Sequence, residues 1–102
     1  MTNKFEFYSD PAHGWLKVPK ELLFILGIGG SISQFSYDRN GYVYLEEDCD
    51  LTRFMGAFKG SFGYLPIIND RRPSKKSSSI RSYERYDKVY EMNRRSKVYN
   101  KA

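Results

Sequence analysis

Ser36-Tyr37-Asp38-Arg39-Asn40-Gly41-Tyr42-Val43-Tyr44-Leu45-Glu46 is the stretch on which the fold turns. Asn40-Gly41 suits a two-residue turn with positive φ at both central positions, and β-prone residues flank it on either side. The spacing predicts an antiparallel hairpin, with a third strand over Ser31 to Arg39, Phe35 and Tyr37 sharing a face, and a fourth over Tyr42 to Glu46.

Working outward toward the N-terminus, Phe5 and Phe7 alternate within Lys4-Phe5-Glu6-Phe7-Tyr8, the period of a half-buried strand. Ser9 to Gly14 supplies turn formers, and Trp15-Leu16-Lys17-Val18 reads as a second short strand, which together make an opening hairpin with a broad loop. Pro19 suits the first position of a helix over Lys20 to Leu26, and Gly27 suits its left-handed end. Gly27-Ile28-Gly29-Gly30-Ser31 is a helix stop and not a phosphate loop, because the glycines follow the helix instead of opening one.

Toward the C-terminus, Leu51, Phe54, Met55 and Phe58 recur at spacings of three and four, which predicts an amphipathic helix over Leu51 to Lys59 ended by Gly60. Asp48 or Asp50 is the expected cap. Tyr64-Leu65-Pro66-Ile67-Ile68 reads as a fifth strand, held to a sheet edge by a proline that cannot donate to a ladder. The expected fold is therefore α+β in the order ββαββαβ: a mainly antiparallel sheet, two short helices on one face, and a basic, helical C-terminal extension.

The formal net charge of +5 conceals a division. Residues 1–70 carry six basic and nine acidic side chains, whereas 71–102 carry eleven basic and three acidic. The expected organisation follows it: an α+β domain over 1–70, a basic Ser-rich linker or loop over 71–79, and a basic Tyr-rich extension over 80–102. In the last, Ile80, Tyr83, Tyr86 or Asp87, and Tyr90 fall at helical spacing, and Glu84 with Lys88 and Glu91 with Arg95 make favourable pairs that Asp87 with Glu91 and Arg81 with Arg85 oppose; a helix is expected from about Ser79 to Arg95.

Arg71, Arg72, Lys75, Lys76, Arg81, Arg85, Lys88, Arg94, Arg95, Lys97 and Lys101 can neutralise phosphates, with binding that falls steeply as salt rises. Tyr83, Tyr86, Tyr90 and Tyr99 lie among them, and rings between cations suit stacking on unpaired bases. The same pattern also fits a helical stripe packed on the domain with its charges in solvent. An acidic protein surface is the other partner of matching charge.

Nothing reads as catalytic. His13 is the single histidine, and the sequence does not place Cys49 beside it; a structural turn histidine and a buried, small, apolar cysteine are expected. Glu46, Glu47, Asp48 and Asp50 match no hard-cation loop, so helix capping accounts for them and no metal or cofactor is expected; the run can also hold down the chain's own basic tail. With 40% apolar and 17% aromatic residues the chain folds instead of staying disordered. The run Leu22 to Leu26 is too short to span a bilayer, and Met1 to Glu6 does not read as a secretory signal. A lone cysteine fits a reducing cytosol. No membrane partner and no small-molecule substrate are expected.

Three stretches, His13-Gly14-Trp15-Leu16-Lys17-Val18-Pro19, Tyr44-Leu45-Glu46-Glu47-Asp48-Cys49-Asp50 and Ser79-Ile80-Arg81-Ser82-Tyr83, resemble a group of small tailed-bacteriophage proteins that has no established activity. The resemblance covers most of residues 4 to 83. Ala12 stands where the group's pattern has glycine, and the stretch after Tyr83 to Ala102 is an extension particular to this chain. It implies a phage product working in the host bacterial cytoplasm. The functional expectation is a non-catalytic accessory protein that binds nucleic acid, or a host protein acting on nucleic acid, through its basic tail. The alternative is an inhibitor of a host defence or replication protein that acts through the folded domain.

Overall fold

The computed structural model describes residues 3–99, with side chains within 3–96. Strands β1 (Lys4–Ser9) and β2 (Gly14–Pro19) lead into α1 (Lys20–Ile25); β3 (Tyr37–Arg39) and β4 (Tyr42–Glu46) into α2 (Asp50–Phe62); then follow β5 (Ile67–Asp70), β6 (Glu84–Arg85) and α3 (Lys88–Tyr99). The six strands form one open sheet in the order β5-β1-β2-β4-β3-β6, antiparallel throughout except for the β1 and β5 pair. The chain is thus α+β, and its first seven elements run ββαββαβ. No helix among the described residues is long and apolar enough to cross a membrane.

The central hairpin forms as the turn chemistry requires. Asn40 and Gly41 adopt φ of 52° and 82°, and Arg39 pairs with Tyr42 across the two-residue loop. α1 stops in a Schellman arrangement, in which the Gly27 N–H donates to the Phe24 carbonyl and the Ile28 N–H to the Leu23 carbonyl. β5 is an edge strand, beginning just after Pro66.

Several boundaries differ from expectation. The third strand is confined to Tyr37–Arg39; Gly29–Ser31 is a 3-10 turn, and Phe35 is exposed instead of sharing a buried face with Tyr37. The reason lies in Asp50. This residue does not cap α2 with its side chain, and neither does Asp48; its buried carboxylate instead accepts the Ser33 N–H and the Ser33 and Ser36 hydroxyls, pulling 33–36 out of the ladder. α2 runs past Gly60, which is exposed, and ends where Gly63 takes φ of 84°.

Strand alternation sends side chains to two faces. On one, Phe5, Leu16, Val18, Val43 and Leu45 meet Leu22 and Leu23 of α1 and Phe54 and Phe58 of α2. On the other, Trp15, Tyr37 and Tyr44 are covered by Ile80, with Tyr8 and Tyr83 at the margin. The residue that covers this second face comes from beyond Asp70. Residues 71–79, read as a linker or loop, lie along the sheet: the Arg71 N–H donates to the Phe7 carbonyl and the Ser74 N–H to the Ser9 carbonyl.

The single helix expected from Ser79 to Arg95 is replaced by a 3-10 turn at Ser79–Ser82, the short β6, and α3. Ile80 packs on one face of the sheet and Tyr86 in the core of the other. Residues six apart cannot reach opposite faces from one straight helix laid on a sheet, so an extended segment carries the chain around the β3 edge.

Candidate functional site

The outer face of the sheet is a grid whose rows are set by strand register. One row across the sheet reads Asn69, Glu6, Lys17, Tyr44, Tyr37, Arg85. The next carries Tyr8, Trp15 and Glu46, and the row on the other side carries Ile67, Lys4, Pro19, Tyr42 and Arg39. Cations and rings therefore share one surface with a few acids, and several of them pair. Lys17 Nζ lies 4.3 Å from the Tyr42 ring centre, the Arg39 guanidinium 4.6 Å from Tyr83, the Arg85 guanidinium 5.3 Å from Tyr37, and the Arg71 guanidinium 6.0 Å from Tyr8.

The strap crossing this face is anchored by Asp10. Its carboxylate accepts the Ala12 and His13 N–H groups that shape the β1 to β2 loop, the Ser78 N–H, and both Nε (2.7 Å) and Nη2 (2.9 Å) of Arg81. The Arg81 pair, with the backbone donors, holds the Asp10 carboxyl well below the usual carboxylate range despite its burial. Tyr44 rests against Tyr83 at 5.1 Å between ring centres, and burial, then Tyr83, push its hydroxyl up to about 12.

The expected binding residues divide accordingly. Arg72, Lys75 and Lys76 are exposed and have no side-chain partner among the described residues. Arg71 makes a 3.8 Å contact with Glu6, and Lys88 and Tyr90 are exposed. Arg85 donates to the Gln34 carbonyl, Arg94 pairs with Glu91 at 3.1 Å, and Arg95 pairs with Glu21 while lying 3.5 Å over the Phe24 ring. Arg81 is committed to Asp10. Tyr86 is 2% exposed, donates its hydroxyl to the Gly29 carbonyl at 2.6 Å, and has its acidity suppressed by burial, so it is a core residue and not a stacking surface. The side chains of Lys97 and Tyr99, and Lys101 altogether, lie outside the described residues.

Sequence reasoning missed Lys17, Arg39, Tyr8 and Tyr42. Strand alternation, which turns Lys17, Tyr42 and Tyr44 to the same side, carries the signal, but an isolated cation in a strand has the same pattern as an ordinary solvated one.

The acidic run does not restrain the basic segment: among the described residues no ion pair joins 46–50 to a cation of 71–95. Cys49 is exposed, not buried. It lines a pocket of about 370 Å³ together with His13, Glu46 and Asp48, so the fold brings the cysteine and histidine to one place. Burial, and next Asp48, raise the Glu46 carboxyl above its ordinary range.

No family model matches the chain, and searches of curated proteins and of solved structures likewise return no match.

Proposed function

We propose that this chain is a non-catalytic nucleic-acid-binding protein that takes single strands on the outer face of its sheet. The observation that carries the reading is the set of cation and tyrosine pairs, Lys17 on Tyr42, Arg39 on Tyr83 and Arg71 on Tyr8, on one face. The strap adds Arg72, Lys75 and Lys76, exposed and with no side-chain partner among the described residues. Tyrosine planes accept unstacked bases of any sequence, and neighbouring cations neutralise the backbone. A duplex keeps its bases stacked and offers such a surface much less. The basic segment contributes as a strap fixed on the sheet, not as a detached tail. In the setting implied by the resemblance to phage proteins, the ligand is DNA or RNA in the host bacterial cytoplasm.

Removing residues 71–102 cannot test this, because Ile80, Arg81 and Tyr86 would leave with them. Point substitutions can. Anisotropy of a labelled single strand titrated with Tyr42→Ala is expected to show a loss of about 1–3 kcal/mol, the worth of one stacked base. Affinity is expected to fall linearly in log salt. Binding that is flat in salt and indifferent to Tyr42→Ala and Lys17→Ala overturns the reading.

A second reading, in which the folded domain binds and blocks a host protein, has its own support. Tyr64, Leu65, Ile67 and Ile68 are 49%, 53%, 54% and 37% exposed along the edge strand β5 and its approach. Leu65→Lys is expected to abolish capture of such a protein and leave single-strand binding unchanged.

A further inference from the structure

The pocket that holds His13 shares Trp15, Tyr37, Glu46 and Arg85 with the outer face, but its ligand-bearing side chains form a different kind of site. We propose that His13, Glu46 and Asp48 bind one divalent transition-metal ion of the zinc type.

Backbone register creates the cluster. Trp15 of β2 pairs with Glu46 of β4, and the Glu47 N–H donates to the Gly14 carbonyl at 3.0 Å, so the loop ending at His13 is fixed against the β4 to α2 turn that carries Asp48. Each of the three offers one ligand atom, and these atoms lie within 4.8 Å of one another. His13 Nδ1 stands 3.7 Å from Glu46 Oε1, too far for a hydrogen bond. It is close to the edge of a tetrahedron around an ion with arms of about 2.1 Å, which is about 3.4 Å.

Glu46 is 9% exposed, its Oε2 accepts the Asp48 N–H at 2.9 Å, and neither carboxylate forms an ion pair with a lysine or arginine among the described residues. Two arginines line the same pocket but are engaged: Arg81 with Asp10, and Arg85 with the Gln34 carbonyl and the Tyr37 ring. A second, independent observation points the same way. Trp15 also lines the pocket, is 1% exposed, and its indole Nε1–H has no acceptor among the described residues. Three protein ligands leave a fourth position for a water or anion, which supplies a buried donor with an acceptor. An imidazole beside two carboxylates favours a borderline ion over Ca²⁺ or Mg²⁺, which take oxygen-only shells.

Trp15 is the single tryptophan of the chain and its ring centre lies 6.2 Å from that of His13, so tryptophan fluorescence, excited at the red edge where the nine tyrosines absorb little, reports on this place. The test is a titration of the untagged full-length chain with Co²⁺. Saturable quenching of Trp15 that Zn²⁺ competes away and excess Mg²⁺ does not is the expected result. His13→Ala and Asp48→Asn, both at exposed positions and checked for unchanged far-ultraviolet dichroism and melting, should each raise the Co²⁺ dissociation constant by at least about tenfold. Quenching that never saturates, that Mg²⁺ removes as well as Zn²⁺ does, or that both variants retain at native strength overturns the proposal.

Discussion

The two faces of the sheet are held by different physics. Under α1 and α2 the contacts are aliphatic and phenylalanine: Phe5 meets Phe54 and Phe58 edge-on at 5.3 and 5.9 Å, and hydrophobic burial supplies the stability. On the opposite face a few aromatic residues are covered by Ile80 of an otherwise polar strap that owes its position to Asp10, Arg81 and Ser78. A helix can shield a sheet with its own apolar stripe. A Ser-rich, basic strap cannot, so one buried carboxylate must organise it through directed bonds. The difference teaches that a charged segment can be an integral layer of a fold when a few of its residues are anchored and the others left to solvent.

That contrast can be broken most severely from the helical side. Phe54→Ala, at a fully buried ring, is expected to cost about 3–5 kcal/mol in urea unfolding, whereas Ile80→Ala within the strap should cost about 2 kcal/mol. Next comes the anchor. The Asp10 carboxyl is held below its unfolded value of about 3.9, so the folded state favours its ionised form. Its contribution is fully present above that value and is lost as pH falls below it. Asp10→Asn is therefore expected to lower the urea midpoint at neutral pH by more than any hydroxyl deletion, and to flatten the acid limb below about pH 4. A smaller effect tests the point where the chain rounds the sheet edge: Tyr86→Phe removes the bond to the Gly29 carbonyl and should cost about 1 kcal/mol, read in the same melts.

The helix-covered half was legible because it obeys period rules. Phe5 and Phe7, the stripe from Leu51 to Phe58, and Asn40-Gly41 each announce local structure without knowledge of anything distant. The other half was not legible, because its organising contacts are remote in sequence. Asp10 meets Arg81 across 71 residues, and nothing near either one states the pairing. Ile80 and Tyr86 were read as one helical stripe because their spacing allows it; that they part to opposite faces depends on where β3 ends. Asp50 mimicked a cap in sequence because caps and loop anchors use the same carboxylate, and only Ser33 and Ser36 distinguish them. The candidate site was half visible: Arg71, Arg72, Lys75 and Lys76 by charge density, but Lys17, Arg39, Tyr8 and Tyr42 only once the sheet order placed them together.

The smallest effect on stability should accompany a clear effect on binding, and it separates the strap's two kinds of cation. The side chains of Arg72, Lys75 and Lys76 have no partner among the described residues, so replacing all three with alanine should alter the unfolding free energy by no more than about 0.5 kcal/mol per site. Each cation that meets a phosphate releases counterions, with a slope of about 0.7 per contact for a single strand in log affinity against log salt. The triple variant should thus bind more weakly at low salt, with a slope shallower by about 2. Arg81→Ala makes the opposite pair of changes, destabilising the strap while removing a guanidinium already committed to Asp10. If both variants changed the salt slope equally, anchoring and ligand-facing cations would not be distinct, and the strap would return to being an undivided basic tail.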